Sequence, residues 1–560
     1  MITVREGIIT AETRTQTAVF ERGTLISLRD RKGREYVSNS PDAEALYIVY
    51  RGGEKVPLKN TGLGTVTVRR ISDTRADVFF ESWDGDGMLS VSEDEETGDI
   101  LIEPEVTSAR KGILAARLPI GGIGERMNLV APLFQGIDLP VGDELIRNKK
   151  YIWPSAWEAG LAIFLDHETD TGFWVHTRDS RYRPKSLCTG QGESGRDAAF
   201  DAECYGPVDG NASAGGLQWR INVFEGGWHT PAGIYRDWLW EAYGLKKEEE
   251  RRREWTKDIS LAVSWCPASK DYVDALSKKA DPKKTLLHLP HWRKYKYDQN
   301  YPDFTPDDSF LEFLEYASKL GFRCMPHANS IDMDPTMPEY RFVQDFKYRE
   351  IETGKLLGWG LNGPKVIGVP SSNSALTKNR KNNVMVKIHP GLEIWRSILA
   401  GAVDDSLAAM RGLTDAIFLD VTLCTYNLEN SLVDNVSAFE GMNRLIEGVE
   451  ELRGGTVVGG EGLNELTMQH ETFAQAHLFG NCGIFPGIER CGKVDLNRYL
   501  FGRLARIIAY SGIDGSNEDS WTVERLYEEH GAIPTILIHE TEKIENPDPL
   551  VRHILELANS

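Results

Sequence analysis

The chain has 560 residues, 41% of them hydrophobic and 26% charged, too long for one ordinary core and too apolar for global disorder. Its formal charge of −20 excludes nucleic acid as an expected partner, because phosphate binding calls for a basic surface. No apolar run is long enough to span a bilayer, and Met1-Ile2-Thr3-Val4-Arg5-Glu6 does not begin a signal peptide, so no membrane partner and a cytoplasmic setting are expected.

Up to about residue 230 the pattern is of short alternating runs broken by turn residues. Runs 65–70, 76–80, 160–165 and 172–176 read as strands. Many strands with few helical stretches predict a large β-sandwich over residues 1–230. The stretch 190–216, rich in Gly, Ala, Ser and Asp, reads as a long surface loop. Gly121-Gly122-Ile123-Gly124 lacks both the glycine spacing and the βαβ setting of a dinucleotide site.

Near Pro231 the period changes. Ala232 opens a helical stretch through Tyr235-Arg236-Asp237-Trp238, and 246–253 extends it as a charged face. Residues 231–280 therefore read as a linker helix and connecting segment.

Beyond this, short apolar runs alternate with amphipathic ones. Strands are predicted at 285–289, 322–326, 384–388, 416–419, 456–459, 483–485 and 534–538. Helices are predicted at 309–320, 392–411, 437–453, 465–478 and 494–510. Such alternation over some 280 residues predicts a (β/α)8 TIM barrel over 281–560, with its active site at the C-terminal ends of the strands. An open doubly wound sheet would carry a glycine-rich phosphate turn after its first strand, and none is present.

The predicted strand ends are polar. The first leads to Trp292, Tyr297 and Asp298, the second to His327, Asn329 and Asp332, and the third to His389 and, beyond it, Trp395. These aromatics, amides and acids suit the binding of a polyol, and each can equally serve the fold. The fourth strand ends at Asp420 and the fifth at Glu461, after a Gly-Gly that leaves space beside the backbone. A carboxylate closing a buried strand is costly unless a partner or a function retains it. Two on neighbouring strands can supply a nucleophile and an acid/base catalyst about 5 Å apart. Glu465 is the rival acid, read as a first-turn residue serving a helix dipole, and Asp334, before Pro335, reads as turn chemistry.

No metal and no cofactor is expected. His288 and His291 are three apart and face opposite sides of a strand, and no His-x-His pair occurs. The seven cysteines, at 188, 204, 266, 324, 424, 482 and 491, are odd in number and show no C-x-x-C spacing, which favours reduced thiols.

Phe418-Leu419-Asp420-Val421-Thr422, Gly460-Glu461-Gly462 and the segment from His389-Pro390-Gly391 to Trp395, in this order of domains, resemble glycoside hydrolase family 101, the endo-α-N-acetylgalactosaminidases. They resemble more closely the uncharacterised bacterial glycosidase-like proteins grouped beside that family. The resemblance implies a retaining mechanism with Asp420 as nucleophile and Glu461 as acid/base. It departs from the family where Gly462 stands in place of a tryptophan. The expected function is a retaining glycosidase on an α-linked galactose-, glucose- or N-acetylgalactosamine-type substrate. The alternatives are a non-catalytic carbohydrate-binding barrel and a metal-dependent barrel hydrolase or isomerase.

Overall fold

The computed structural model describes residues 1–58, 64–82, 84–192, 194–357, 360–361, 366–367, 370–371, 385–476, 492–509 and 519–560. Within these residues the first 225 form three antiparallel sheets. The outermost is a meander of five strands from Ile2–Arg5 to Glu35–Ser38. The larger sandwich sheet runs from Ile137–Pro140 through Leu161–Asp166, Thr171–His176, Trp219–Glu225 and Ile100–Thr107 to Gly64–Arg70. The smaller runs from Lys149–Ile152 through Lys185–Thr189, Ala198–Glu203 and Ile113–Ile120 to Lys55–Leu58. Trp219 from the larger sheet and Phe200 from the smaller meet at 5.2 Å, with Trp157 stacked on Trp219 at 6.3 Å. These rings fill the space between the sheets.

Ile100–Thr107 buries alternate residues, as expected of a strand with one face on a core. Ala198–Glu203 is buried throughout, so it shows no alternation. That explains one correction: 190–216 is not a long loop, because it contains this central strand and Ser213–Gly215. The glycine run at 121–124 joins two sandwich strands, consistent with the absence of a nucleotide motif.

Helix His229–Ala242 leaves the sandwich and turns at Gly244 (φ 64°) into Leu245–Arg251. Among the described residues, eight parallel strands then follow in chain order: Leu261–Val263, Thr285–Leu289, Arg323–Asn329, Ala416–Asp420, Val457–Glu461, Phe473–Ala476, Arg506–Ala509 and Thr535–Ile536. Ile508 bridges Ile533 and closes the ring. Leu286, Met325, Phe418, Val457, Phe473 and Ile508 pack as one buried cluster of barrel-strand residues. The fold is a β-sandwich followed by a (β/α)8 barrel.

Helices Asp308–Leu320, Glu393–Ala409 and Ala438–Glu450 lie where the pattern places them. Asp307 and Ser437 cap the first and last by accepting from the backbone N–H of Ser309 and Glu440.

Four assignments change. The barrel sheet begins inside the stretch read as connecting segment, with Leu261–Val263 and helix Lys270–Ser277. The strand at 285–289 is therefore the second. Residues 384–388 give no barrel strand: Val386–Lys387 pairs with Asp332–Met333 in a small antiparallel ladder beyond the third strand. Within 465–478 the chain forms strand Phe473–Ala476, and within 494–510 it forms helix Leu496–Phe501 and strand Arg506–Ala509. The strand expected at 483–485 lies outside the described residues.

Candidate active site

Asp420 and Glu461 end the fourth and fifth barrel strands, which pair with Leu419 opposite Gly460. Asn329 ends the third strand directly opposite Asp420, and His327 lies opposite Phe418. Because strand side chains alternate, His327, Asn329, Asp420 and Glu461 share the inward face. Asp420 and Glu461 are 7% and 4% exposed, both buried at the C-terminal ends of their strands.

Asp420 Oδ2 accepts from the Tyr297 hydroxyl at 3.0 Å and from Asn329 Nδ2 at 3.5 Å, and His327 Nε2 lies 3.3 Å away. Burial alone would raise the Asp420 carboxyl, but the neighbouring His327, then the Tyr297 hydroxyl and Glu461, outweigh it and hold it at about 2. Glu461 moves the opposite way. Burial first, then the negative charge of Asp420, push it well above the usual carboxylate range, against the Val421 N–H and Lys387. The pair therefore holds one proton, on Glu461, and one negative charge, on Asp420.

The backbone contributes as well. Val421 has φ of 60°, a left-handed conformation that a β-branched residue adopts only under constraint. In that conformation its N–H donates to Glu461 Oε2 at 2.8 Å. Thr422 Oγ1 donates to the Glu461 carbonyl and accepts from its N–H, at 3.1 and 2.9 Å, which fixes the end of the fifth strand.

Asn329 also donates to Asp332 Oδ2 at 3.1 Å, and Lys387 Nζ lies 3.2 Å from Asp332 Oδ1. Tyr297, His327, Asn329 and Asp332 thus gather around the carboxyl pair. Asp298, at φ 59°, follows Tyr297, and its N–H donates to the Tyr301 hydroxyl at 3.4 Å. This bond serves the loop.

Three predicted contacts are structural instead. Trp292 is 1% exposed and donates from Nε1 to the His327 carbonyl at 2.7 Å. Trp395 is fully buried and donates from Nε1 to the Ser330 carbonyl at 3.1 Å. His389 is likewise fully buried, accepting from the Gly391 N–H at Nδ1 and facing the Ser431 carbonyl with Nε2. All three support the backbone beneath the site. The glycines before Glu461 leave no ligand space either. A Cβ on Gly459 would meet Met325 Sδ at 2.7 Å, and one on Gly460 would meet Glu471 Oε1 at 2.0 Å.

Glu465 is not a helix-dipole residue. Its carboxylate accepts from Trp153 Nε1, the Gly160 N–H and the hydroxyls of Tyr235 and Tyr243, tying sandwich and linker helix to the barrel. Asp334 is turn chemistry as expected, accepting from the N–H groups of Thr336 and Asn300.

Sequence reasoning missed Trp265, His288 and Lys387. Trp265 follows the unrecognised first strand, half-exposed, with its ring 5.0 Å from that of Tyr297 and 6.0 Å from that of His327. Recognising three apolar residues as a strand would have drawn attention to it. Among the described residues, one grouping has metal-ligand spacing: Glu248, Glu450 and His470. Arg252 already bonds Glu450 at 2.8 Å there, and the Glu450 carbonyl accepts from Thr456, before the fifth strand begins, so the group sits at the opposite end from Asp420.

A family model described as a domain of unknown function, DUF6259, matches residues 217–430, a stretch that includes Asp420 and stops short of Glu461. Curated protein sequences give no match. Among solved structures, the chain is similar to the α-N-acetylgalactosaminidase NagBb from Bifidobacterium bifidum. The ligand-free form is 12% identical with a TM-score of 0.63, covering 100% of this chain and 93% of that one. The same enzyme in complex with Gal-NHAc-DNJ gives 11% identity, a TM-score of 0.65 and coverage of 100% and 92%. Its complex with GalNAc gives 12%, 0.62 and coverage of 90% and 84%. The likeness establishes a shared architecture of sandwich and barrel.

Proposed function

We propose that this protein is a retaining glycoside hydrolase acting on an α-linked galactose-, glucose- or N-acetylgalactosamine-type glycoside. The observation that carries the reading is the placement of Asp420 and Glu461 at the ends of adjacent barrel strands, with the Asp420 carboxyl lowered and that of Glu461 raised well above the usual range. Carboxyls on neighbouring strand ends suit the spacing of about 5 Å of retaining enzymes better than the 6.5–9.5 Å or so of inverting ones. The resemblance to family 101 and the fold shared with an α-N-acetylgalactosaminidase support the substrate class.

In the first step Asp420 forms a bond to the anomeric carbon as the bond to the leaving oxygen breaks. Glu461 gives its proton to that oxygen. In the second, Glu461 takes a proton from water, whose oxygen attacks the anomeric carbon and releases Asp420. Tyr297 and Asn329 hold Oδ2 of the nucleophile, while the buried pair of Asp332 and Lys387 fixes Asn329 beside it. Trp265, half-buried beside Tyr297 and His327, provides the aromatic surface.

A panel of aryl α- and β-glycosides tests the activity. Asp420→Ala should abolish turnover, with azide restoring a trace as the inverted glycosyl azide. Glu461→Ala should keep the first step on substrates with good leaving groups, and azide should then give the retained product. Inverted product from the Glu461 variant would exchange the two roles, and wild-type rates in both variants would remove the site from this pair.

A further inference from the structure

Behind Asp420 lies a second polar layer that the proposed chemistry does not use. His288, on the second strand, and His327, on the third, are 1% and 2% exposed. Their nitrogens His288 Nε2 and His327 Nδ1 are 2.8 Å apart. The Trp265 backbone N–H, at the tip of the first strand, points at His288 Nδ1 at 3.2 Å. His327 Nε2 lies 3.3 Å from Asp420 Oδ2, off the angle of a hydrogen bond, and has no hydrogen-bond partner among the described residues.

The direction of each bond follows from the one group that cannot change. A backbone N–H only donates, so His288 Nδ1 must be bare. A neutral His288 then carries its proton on Nε2 and donates it to His327 Nδ1, which must be bare in turn. The proton of His327 is left on Nε2, facing Asp420. We infer that His288 is a positioning residue: with the Trp265 amide it locks His327 in the tautomer whose Nε2 carries the proton toward Asp420. This rests on the glycosidase reading for its consequence, though not for its geometry.

No proton travels along the relay. A second proton on His327 would have to occupy Nδ1, where it meets the N–H of His288. Burial holds His288 itself well below the usual histidine range, which keeps it neutral. The other groups facing the two rings are consistent with this. They are Tyr297 and His291 on the loop beyond the second strand, with rings 5.2 Å from His327 and 6.5 Å from Trp265 respectively. Phe418 packs on both imidazoles at 4.6 and 5.1 Å. Glu461 reaches them only through Asp420, and His539 only through His291. Asp420 is the one carboxylate in contact with the relay among the described residues, and its Oδ2 accepts from Tyr297 and Asn329 with His327 Nε2 3.3 Å away.

Two measurements test the relay. In wild-type protein with 15N-labelled histidine, His327 should show a bare Nδ1 and a protonated Nε2 at neutral pH, with no substrate present. A protonated Nδ1 on His327, alone or with Nε2, overturns the inference whatever the protein hydrolyses. The second compares His288→Leu with His288→Gln on an activated aryl glycoside. Gln can accept from the Trp265 N–H through its carbonyl and donate to His327 through its amide; Leu can do neither. His288→Leu should lose about 10- to 100-fold in kcat with KM changed by no more than about threefold, the scale of a hydrogen bond to a charged group. Its activity should gain an acid limb from an ordinary histidine ionisation. His288→Gln should restore most of kcat and the wild-type pH profile. Equal losses in both variants, or an unchanged profile in the leucine variant, overturn the inference. A wild-type protein that turns over no glycoside refutes the glycosidase reading alone, since the labelled histidines report the tautomer without it.

Discussion

Tyr297 stands in a loop with no periodic pattern, yet its hydroxyl donates to Asp420 Oδ2 at 3.0 Å. Burial first, and then Asp420, keep it far above the usual tyrosine range, so it remains a donor throughout the working pH. The site needs Asp420 ionised and Glu461 protonated. Activity should therefore fall as pH drops toward the Asp420 value of about 2 and fall again as pH rises through the elevated value of Glu461. Tyr297→Phe removes a donor from the charged form of Asp420 only. Its folded-state value rises, and the acid limb of kcat/KM should move up by about 1–2 pH units, with kcat about 10-fold or more lower. An unmoved acid limb would show that the hydroxyl does not stabilise the anion. The polar residues around Asp420 were readable because they end recognisable strands. Trp292, His389 and Trp395 misled for the same reason. A polar or aromatic side chain at a strand end can bind a ligand or satisfy a backbone carbonyl, and only the Trp292 Nε1 bond to the His327 carbonyl, for example, decides between them.

Helix Ala438–Glu450 follows the fourth strand and packs its Gly441 against the turn at His389-Pro390-Gly391. A Cβ there would meet the Gly391 nitrogen at 2.3 Å and the Pro390 carbonyl carbon at 2.5 Å, and backbone atoms cannot step aside as a flexible side chain would. Gly441→Ala should destabilise by about 1–3 kcal/mol despite the higher helix propensity of alanine. A raised melting temperature would show that the helix can slide outward freely. The third, fourth and fifth barrel strands and the helices beside them were legible because their apolar periods are long. Phe473-Ala474-Gln475-Ala476 was not, since alanine and glutamine favour helix and only pairing with Gly459 to Glu461 on one side and Arg506 to Ala509 on the other makes them a strand. Leu261–Val263 is too short to show any period.

Across the whole molecule, sandwich and barrel are joined by a buried seam. Glu158 of the sandwich accepts from the Gln135 N–H at 2.7 Å and from Asn497 Nδ2 of the barrel at 2.8 Å. Burial outweighs these donors and lifts it from 4.5 to about 8. The folded protein therefore binds a proton that the unfolded chain has lost between these values, and stability contributed by Glu158 is full below pH 4.5 and declines as pH rises toward 8. Glu158→Gln keeps the shape and cannot ionise, so the fall in melting temperature over that window should flatten. An identical slope in both proteins would place the titration elsewhere. The division into sandwich and barrel was legible from the change of period near Pro231, whereas this seam was not, because it pairs residues more than 300 positions apart.

The barrel also lends the sandwich two short strands. Gly492–Lys493 pairs with Ile137–Pro140 at the edge of the larger sheet, and Val366–Ile367 pairs with Lys149–Ile152 at the edge of the smaller. On the ribosome, residue 140 emerges roughly 350 residues before residue 492, an interval on the order of tens of seconds at ordinary translation rates. Until residue 366 emerges the nascent sandwich carries two open rows of backbone donors and acceptors, and until residue 492 it still carries one, the geometry by which sheets join other chains. Synthesis is thus the period of greatest risk of association with other chains, and it ends only when residue 493 of the 560 has been made.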